Sequence, residues 1–168
     1  MPEITALVPQ DEGLVETLSV YHNVYMGQLR AHSSFYNLIN LIHPFKQRVE
    51  EVDAVLVKVQ LQDKCFDVVK QLSGGQRQRT AVARSLYQGG ELLLADEPVS
   101  AVDELQAGRL LQILSTDFST TIFALHDTQL ALTHCTRVIG LHDGRIVLDE
   151  ASEHLSATEL TRLYCDEA

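Results

Sequence analysis

The sequence predicts an α/β chain: a core of parallel strands with a block of helix inserted into it. Two observations carry that expectation. The apolar run Leu92-Leu93-Leu94-Ala95 has the length and composition of a buried strand in a parallel sheet, and it ends in two adjacent carboxylates, Asp96 and Glu97. Between Val20 and Gln71, by contrast, apolar residues recur at spacings of three and four, as on one face of a helix.

Ile4 to Val8 reads as a short strand leading to Gln10, and Leu18-Ser19-Val20 opens a helical stretch through Val24, Met26 and Leu29. Pro44 suits a first helical position, where its missing N–H costs nothing, and Val49, Val52, Leu56 and Val59 continue as an amphipathic helix. A helix through Ala83 and Leu86 ends near Gly89-Gly90, followed by the strand Glu91 to Ala95 and a helix from Asp103 through Leu110, Leu111 and Leu114. Thr120 to Leu125 is another short apolar strand. Val138 to Leu141 and Arg145 to Leu148 flank Asp143-Gly144, a two-residue hairpin signal. A last amphipathic helix is expected from Ala157 to Tyr164. With no repeat, low-complexity tract or Gly/Ser linker, the chain divides by element type into 1–19, 20–72 and 73–168.

The 168 residues have room for one domain with a real core, and 45% hydrophobic with 21% charged residues argues against disorder. Thirteen Lys and Arg against 23 Asp and Glu give a formal net charge of -10 and a pI near 5.0, which argues against a nucleic-acid partner, since phosphate backbones need clustered cations. Cys65, Cys135 and Cys165 are far apart and odd in number, so neither a disulfide framework nor a Cys-x-x-Cys metal site is expected, and a reduced cytosolic chain fits. No basic leader or apolar run of about 20 residues is seen, so membrane association is expected only through a partner.

The chemistry concentrates in Leu72-Ser73-Gly74-Gly75-Gln76-Arg77-Gln78-Arg79 and in Asp96-Glu97. A serine and two glycines opening a helix leave its first N–H groups unpaired at the positive end of the dipole, with little side chain in the way of a phosphate. Two ionised neighbours at a strand end repel unless a cation or a positioned water divides their tasks. Read singly, each feature has a bland alternative: a glycine-softened helix start, solvated acids at a turn, an exposed loop amide at Gln10, a helix N-cap at Asp103. Arg77, Arg79 and Arg84 read as a solvated or packing helix face rather than as ligands. His22, His32, His43, His134, His142 and His154 show no spacing suited to a metal, and no zinc is expected.

Taken together, Leu72 to Gln76 resembles the signature of the ATP-binding subunit of ATP-binding-cassette transporters, and Leu92 to Glu97 resembles its Walker B strand. The resemblance implies a partial P-loop NTPase core of that type plus an inserted α-helical subdomain, with ATP and Mg²⁺ as cofactors. It assigns Ser73, Gly74, Gly75 and Gln76 to the γ-phosphate of ATP held by a second ATP-binding subunit in a head-to-tail dimer. It assigns Asp96 to Mg²⁺, Glu97 to the attacking water, and Gln10 to a glutamine loop that contacts Mg²⁺ or that water and senses the permease. Ser100-Ala101-Val102-Asp103 resembles the loop between subunits, with Val102 where leucine is usual, and His126 the switch histidine at the γ-phosphate. The helical part, 20–72, then corresponds to the subdomain that meets transmembrane permease subunits.

No Gly-x-x-x-x-Gly-Lys-Ser/Thr phosphate loop occurs between Met1 and Ala168, so the resemblance is to an N-terminally shortened subunit. Alone, the chain is expected to bind ATP poorly and to expose apolar edges of an incomplete sheet. Two readings result. One is the ATP-hydrolysing subunit of an importer, peripheral on the inner face of the cell membrane through its permease. The other is a non-hydrolytic module that docks on a permease or lends its signature to a complete partner. Leu18-Ser19-Val20, Asn23-Val24, Gly27, Ala95 to Val99 and Leu160 to Tyr164 resemble phosphonate-importer subunits, which implies a phosphonate or related oxyanion as the solute.

Overall fold

Alternating apolar residues on three short strands build the first sheet of the computed structural model, which describes residues 5–158 and 160. Ala6 and Val8 of β1 (Thr5–Val8) and Leu93 and Ala95 of β2 (Leu92–Asp96) are buried on one face. With β3 (Thr120–Ala124) they form a sheet of order β1-β2-β3, both pairs parallel, with Thr5 opposite Leu92 and Leu92 opposite Thr120. The expected strand ends move by a residue, since Asp96 belongs to β2 while Glu91 and Leu125 lie outside β2 and β3. One face of this sheet carries exposed apolar side chains: Leu7 is 52% and Ile122 57% exposed. Parallel sheets are ordinarily covered on both faces.

The helical part leaves and rejoins this core side by side. Ser19 and Val68 form an antiparallel bridge, and the Val69 N–H donates to the Leu18 carbonyl at 3.0 Å. Ser19 caps α1 (Val20–Tyr25), and a 3₁₀ turn over Met26–Ala31 with a non-helical Gln28 breaks the single stretch expected through Leu29. A separate helix not foreseen from the sequence follows, α2 (Ser34–Ile42), capped by Ser33. Pro44 does not occupy a first helical position, because the Phe45 N–H is taken by Asn40 Oδ1 at 2.8 Å and Phe45 stays extended as the cap. Hence α3 runs Lys46–Lys58, with Val59 past its end. Val20, Tyr21, Val24, Val52, Leu56 and Val69 are fully buried, and burial pushes the Tyr21 hydroxyl up to about 12.

These elements pack on α4 (Gly74–Gln88), in which Ala81, Val82 and Ala83 are fully buried and Gly89, at φ 65°, ends the helix as expected. Then α5 (Glu104–Asp117) buries Ala107, Leu110, Leu111 and Leu114.

The chain forms two compact units, the first ending at Ala124 and the second starting at Leu125. The second contains α6 (Thr128–His134), which is too short to announce itself by periodicity and is nucleated by Asp127 accepting the Gln129 and Leu130 N–H groups at 2.8 and 3.0 Å. It also contains the expected hairpin, β4 (Arg137–His142) and β5 (Arg145–Ala151), whose Asp143 and Gly144 have φ of 46° and 71° as a type I′ turn requires. Cys165 and most of the helix expected from Ala157 to Tyr164 lie outside the described residues. Among the described residues no helix is long and apolar enough to cross a membrane.

Candidate functional site

Ser73 is the N-cap of α4, extended at φ -66° and ψ 161°. Its Oγ accepts the Gln76 N–H at 3.3 Å, and Gln76 Oε1 accepts the Ser73 N–H at 2.9 Å, a reciprocal capping box. Gln76 is thus committed to shaping the helix end, while the Ser73 hydroxyl, an acceptor here, retains a proton to donate. The two glycines differ. A Cβ on Gly75 would lie 2.9 Å from the Ala101 carbonyl oxygen, whereas one on Gly74 would meet nothing nearer than the Ala101 Cβ at 3.7 Å. Close approach of the loop Ser100 to Asp103 therefore demands glycine at Gly75, independently of any phosphate.

Asp96 is the exposed last residue of β2. Glu97 leaves strand geometry at φ 48°, a left-handed conformation that costs a non-glycine residue on the order of 1–3 kcal/mol. Pleat alternation therefore stops at Asp96, and this backbone sets the direction of the Glu97 carboxylate. Its N–H donates to the Ala124 carbonyl at 3.0 Å, and its Oε1 accepts from Gln10 Nε2 at 3.2 Å. Gln10 and Glu97, 87 positions apart, are brought together as the turn after β1 meets the turn after β2.

The groups that hold these turns were not singled out in the sequence for that task. Gln78, 5% exposed, donates from Nε2 to the Glu97 carbonyl at 2.8 Å and to Ser100 Oγ at 3.1 Å, and its Oε1 accepts the Ala101 N–H at 2.7 Å. Arg84 donates to the Gly13 and Glu12 carbonyls at 2.6 and 2.7 Å, and Arg77 Nε donates to Glu12 Oε2 at 3.2 Å. Burial lowers the Arg84 pKa against the opposing charge of Asp11. Arg79 bonds the Gly75 carbonyl at 3.3 Å. The three arginines do form a packing face, as expected, but two of them clamp the glutamine turn. One signal was available: Gln78, Ala81, Val82 and Ser85 share the buried face of α4, and a polar side chain on such a face requires partners.

Asp103 caps α5, its Oδ1 accepting the Gln106 N–H at 3.0 Å. The signature residues, Gln10, Asp96, Glu97 and Asp103 all lie in the first unit. His126 lies in the second, exposed and directly before the Asp127 cap of α6.

Among the described residues no group of three His, Cys, Asp or Glu could hold a metal ion. Mg²⁺ bound with phosphates needs only one or two protein oxygens. The exposed Asp96 carboxylate could supply one, and Gln10, whose Nε2 is engaged by Glu97, could offer its carbonyl oxygen as a second. The hard-oxygen donor set fits Mg²⁺ carried in by a nucleotide.

A parallel sheet whose central strand ends at Asp96, with Glu97 next, beside a glycine-started, serine-capped helix, has the α/β layout of the P-loop class. Residues 2–100 match the family model described as ABC transporter, and the chain belongs to that family. It is 44% identical over 165 residues to the Phosphonates import ATP-binding protein PhnC of Pseudomonas fluorescens (strain Pf0-1), covering 96% of this chain and 62% of that protein. It is 36% identical to the Phosphite import ATP-binding protein PxtA of Stutzerimonas stutzeri, covering 95% and 58%. The chain thus spans less than two thirds of these relatives' length. Among solved structures, a dimeric ATP-binding cassette in a post-hydrolysis state bound to ADP and Pi superposes with a TM-score of 0.74 at 26% identity, covering 89% of this chain and 63% of that one. A bacterial Atm1-family ABC exporter with ATP bound shares the fold, with a TM-score of 0.74 at 23% identity over 96% of this chain and 28% of that one.

Proposed function

We propose that this chain serves in the ATP-binding subunit of an ABC importer and couples ATP hydrolysis to uptake of a phosphonate or a related phosphorus oxyanion. The observation that carries the reading is the Gln10 to Glu97 hydrogen bond, which joins the turn after β1 to the carboxylate pair beside the signature helix. The relatives' names, phosphonate and phosphite import, support the solute class.

In this reading the Ser73 hydroxyl and the N–H groups of Gly74 and Gly75 donate to the γ-phosphate of ATP held by a second ATP-binding subunit in a head-to-tail dimer, with Gln76 fixing the cap. Asp96 and the Gln10 carbonyl would hold Mg²⁺, which would offset phosphate charge. Glu97 orients the attacking water and takes its proton, with its carboxylate steadied by the Gln10 amide. Asp103 presents the loop Ser100 to Asp103 to the partner subunit, and His126 donates to the γ-phosphate. Residues 20–72 form the helical subdomain that docks on transmembrane permease subunits, between 1–19 and 73–168, and the assembly sits peripherally at the cytoplasmic membrane face.

The other reading is that the chain lends its signature to a complete partner without hydrolysing ATP itself. Steady-state ATP turnover by an importer assembled with this chain separates the two. Under the first reading Glu97→Gln lowers kcat by about 10²–10⁴, the usual worth of a general base. Unchanged turnover removes Glu97 from this role. Uptake of methylphosphonate, set against phosphite and phosphate, decides the solute.

A further inference from the structure

We infer that Gln78 is a positioning residue for Glu97: from inside α4, its amide holds the left-handed turn that aims the Glu97 carboxylate at Gln10. The inference rests on the reading of Glu97 as the group that acts on the attacking water, and adds a residue to which neither the signature nor the Walker B strand assigns a task.

Four observations converge. Gln78 is buried, and its amide makes three hydrogen bonds, to the Glu97 carbonyl, Ser100 Oγ and the Ala101 N–H. The Ala101 N–H can bond only an acceptor, which fixes Oε1 on that side and Nε2 on Glu97. Glu97 stands at φ 48°, and such a backbone persists only where its surroundings over-determine it. Its peptide groups are held at both ends, the N–H by the Ala124 carbonyl and the C=O by Gln78 Nε2 at 2.8 Å, with longer bonds from the Ser100 Oγ and N–H at 3.3 and 3.4 Å. Without Gln78 the carbonyl keeps only the two longer Ser100 bonds, a weaker hold on a strained backbone whose relaxation to φ below zero swings the Glu97 side chain away from Gln10.

The second end of the amide gives the residue its reach. Ala101, held by Gln78 Oε1, is also the residue whose carbonyl oxygen approaches Gly75 too closely for any Cβ. Gln78 lies about one turn beyond the Ser73 to Gly75 end of the same helix. A shift of that end on meeting a phosphate is therefore felt at Glu97 through one side chain rather than through a chain of loops.

Gln78→Glu tests this, because the carboxylate keeps the length and the acceptor for Ala101 but cannot donate to the Glu97 carbonyl. In the assembled importer we expect kcat for ATP per folded molecule to fall about tenfold or more with KM for ATP within about threefold, alongside a lower melting temperature because the variant buries a carboxylate against the Glu97 carbonyl. Combined with Glu97→Gln, Gln78→Glu should add little further loss, since a residue acting through Glu97 has nothing left to position. Gln78→Met, apolar and of similar length, provides the same readout where the charged variant folds poorly. A kcat per folded molecule equal to wild type, or a full additional loss in the Glu97→Gln background, overturns the role. If Glu97→Gln itself leaves turnover unchanged, the underlying reading fails. If Glu97→Gln is inactive and Gln78→Glu turns over as wild type, only the role of Gln78 fails.

Discussion

Replacing Gly75 with alanine puts a Cβ 2.9 Å from the Ala101 carbonyl oxygen and 3.3 Å from Val102 Cγ1. The nearer contact is backbone, so rotating a side chain cannot relieve it, and the loop is itself held by Gln78 through the Ala101 N–H. Overfilling of this kind costs about 1–3 kcal/mol, offset by up to about 0.5–1 kcal/mol for removing a glycine from a helix. The net is a loss of about 1–2 kcal/mol. Gly74→Ala meets only ordinary contacts at 3.7 and 3.9 Å, so its helix preference goes unopposed and it should be neutral or stabilising by about 0.5 kcal/mol. Neither glycine has a positive φ, so backbone freedom does not separate them. At about 2–4 °C per kcal/mol for a chain of this size, the two variants should melt roughly 4–8 °C apart, with Gly75→Ala the lower. Thermal unfolding followed by circular dichroism, at matched concentration, measures this directly. Gly75→Ala melting level with or above Gly74→Ala would refute the close approach of the loop.

Arg84→Ala removes two short hydrogen bonds to the Glu12 and Gly13 carbonyls and should cost about 3 kcal/mol, read as a drop in urea midpoint, with Arg84→Lys recovering no more than about half because an ammonium lacks the planar fork. Burial pushes the Cys65 thiol up to about 11, so the fold favours its neutral form. The stability this adds is complete below the unfolded thiol pKa near 8.5 and is lost as pH rises from there through about 11. The stability of wild type relative to Cys65→Ala should therefore shrink between pH 8 and pH 11, as measured by urea melts, and a constant difference would contradict the shift. At pH 8 the same thiol should resist iodoacetamide until urea unfolds the chain, as peptide mass spectrometry would show.

What the sequence disclosed was local. Asp143-Gly144 spells its hairpin turn and Asp103 its cap, because in each case the interacting groups stand within three residues, whereas the Ser73-x-x-Gln76 capping box, of the same span, went unread. Resemblance to a family implied only that Gln10 and Glu97 serve one water; their direct hydrogen bond was not foreseen, since 87 positions separate them. Gln78 and Arg84 stayed hidden because they bond backbone atoms of turns that only the folded sheet brings beside α4, and Glu12 because its partners, the Arg77 and Arg84 side chains, are remote in sequence. The positive φ of Glu97 has no sequence marker, glycine being the usual one. Pro44 misled for a tertiary reason, the capture of the Phe45 N–H by Asn40.

The reading stands on the Ser73 end of α4 closing over a nucleotide that another polypeptide holds. Light scattering of this chain mixed with a complete phosphonate-importer ATP-binding subunit, its own Walker B glutamate replaced by glutamine so that ATP is bound but not consumed, tests that most directly. We predict a one-to-one complex that forms with MgATP, not with MgADP, and that weakens at least about tenfold when Ser73→Arg blocks the helix end. Association that ignores the nucleotide, or is indifferent to Ser73→Arg, would contradict the account.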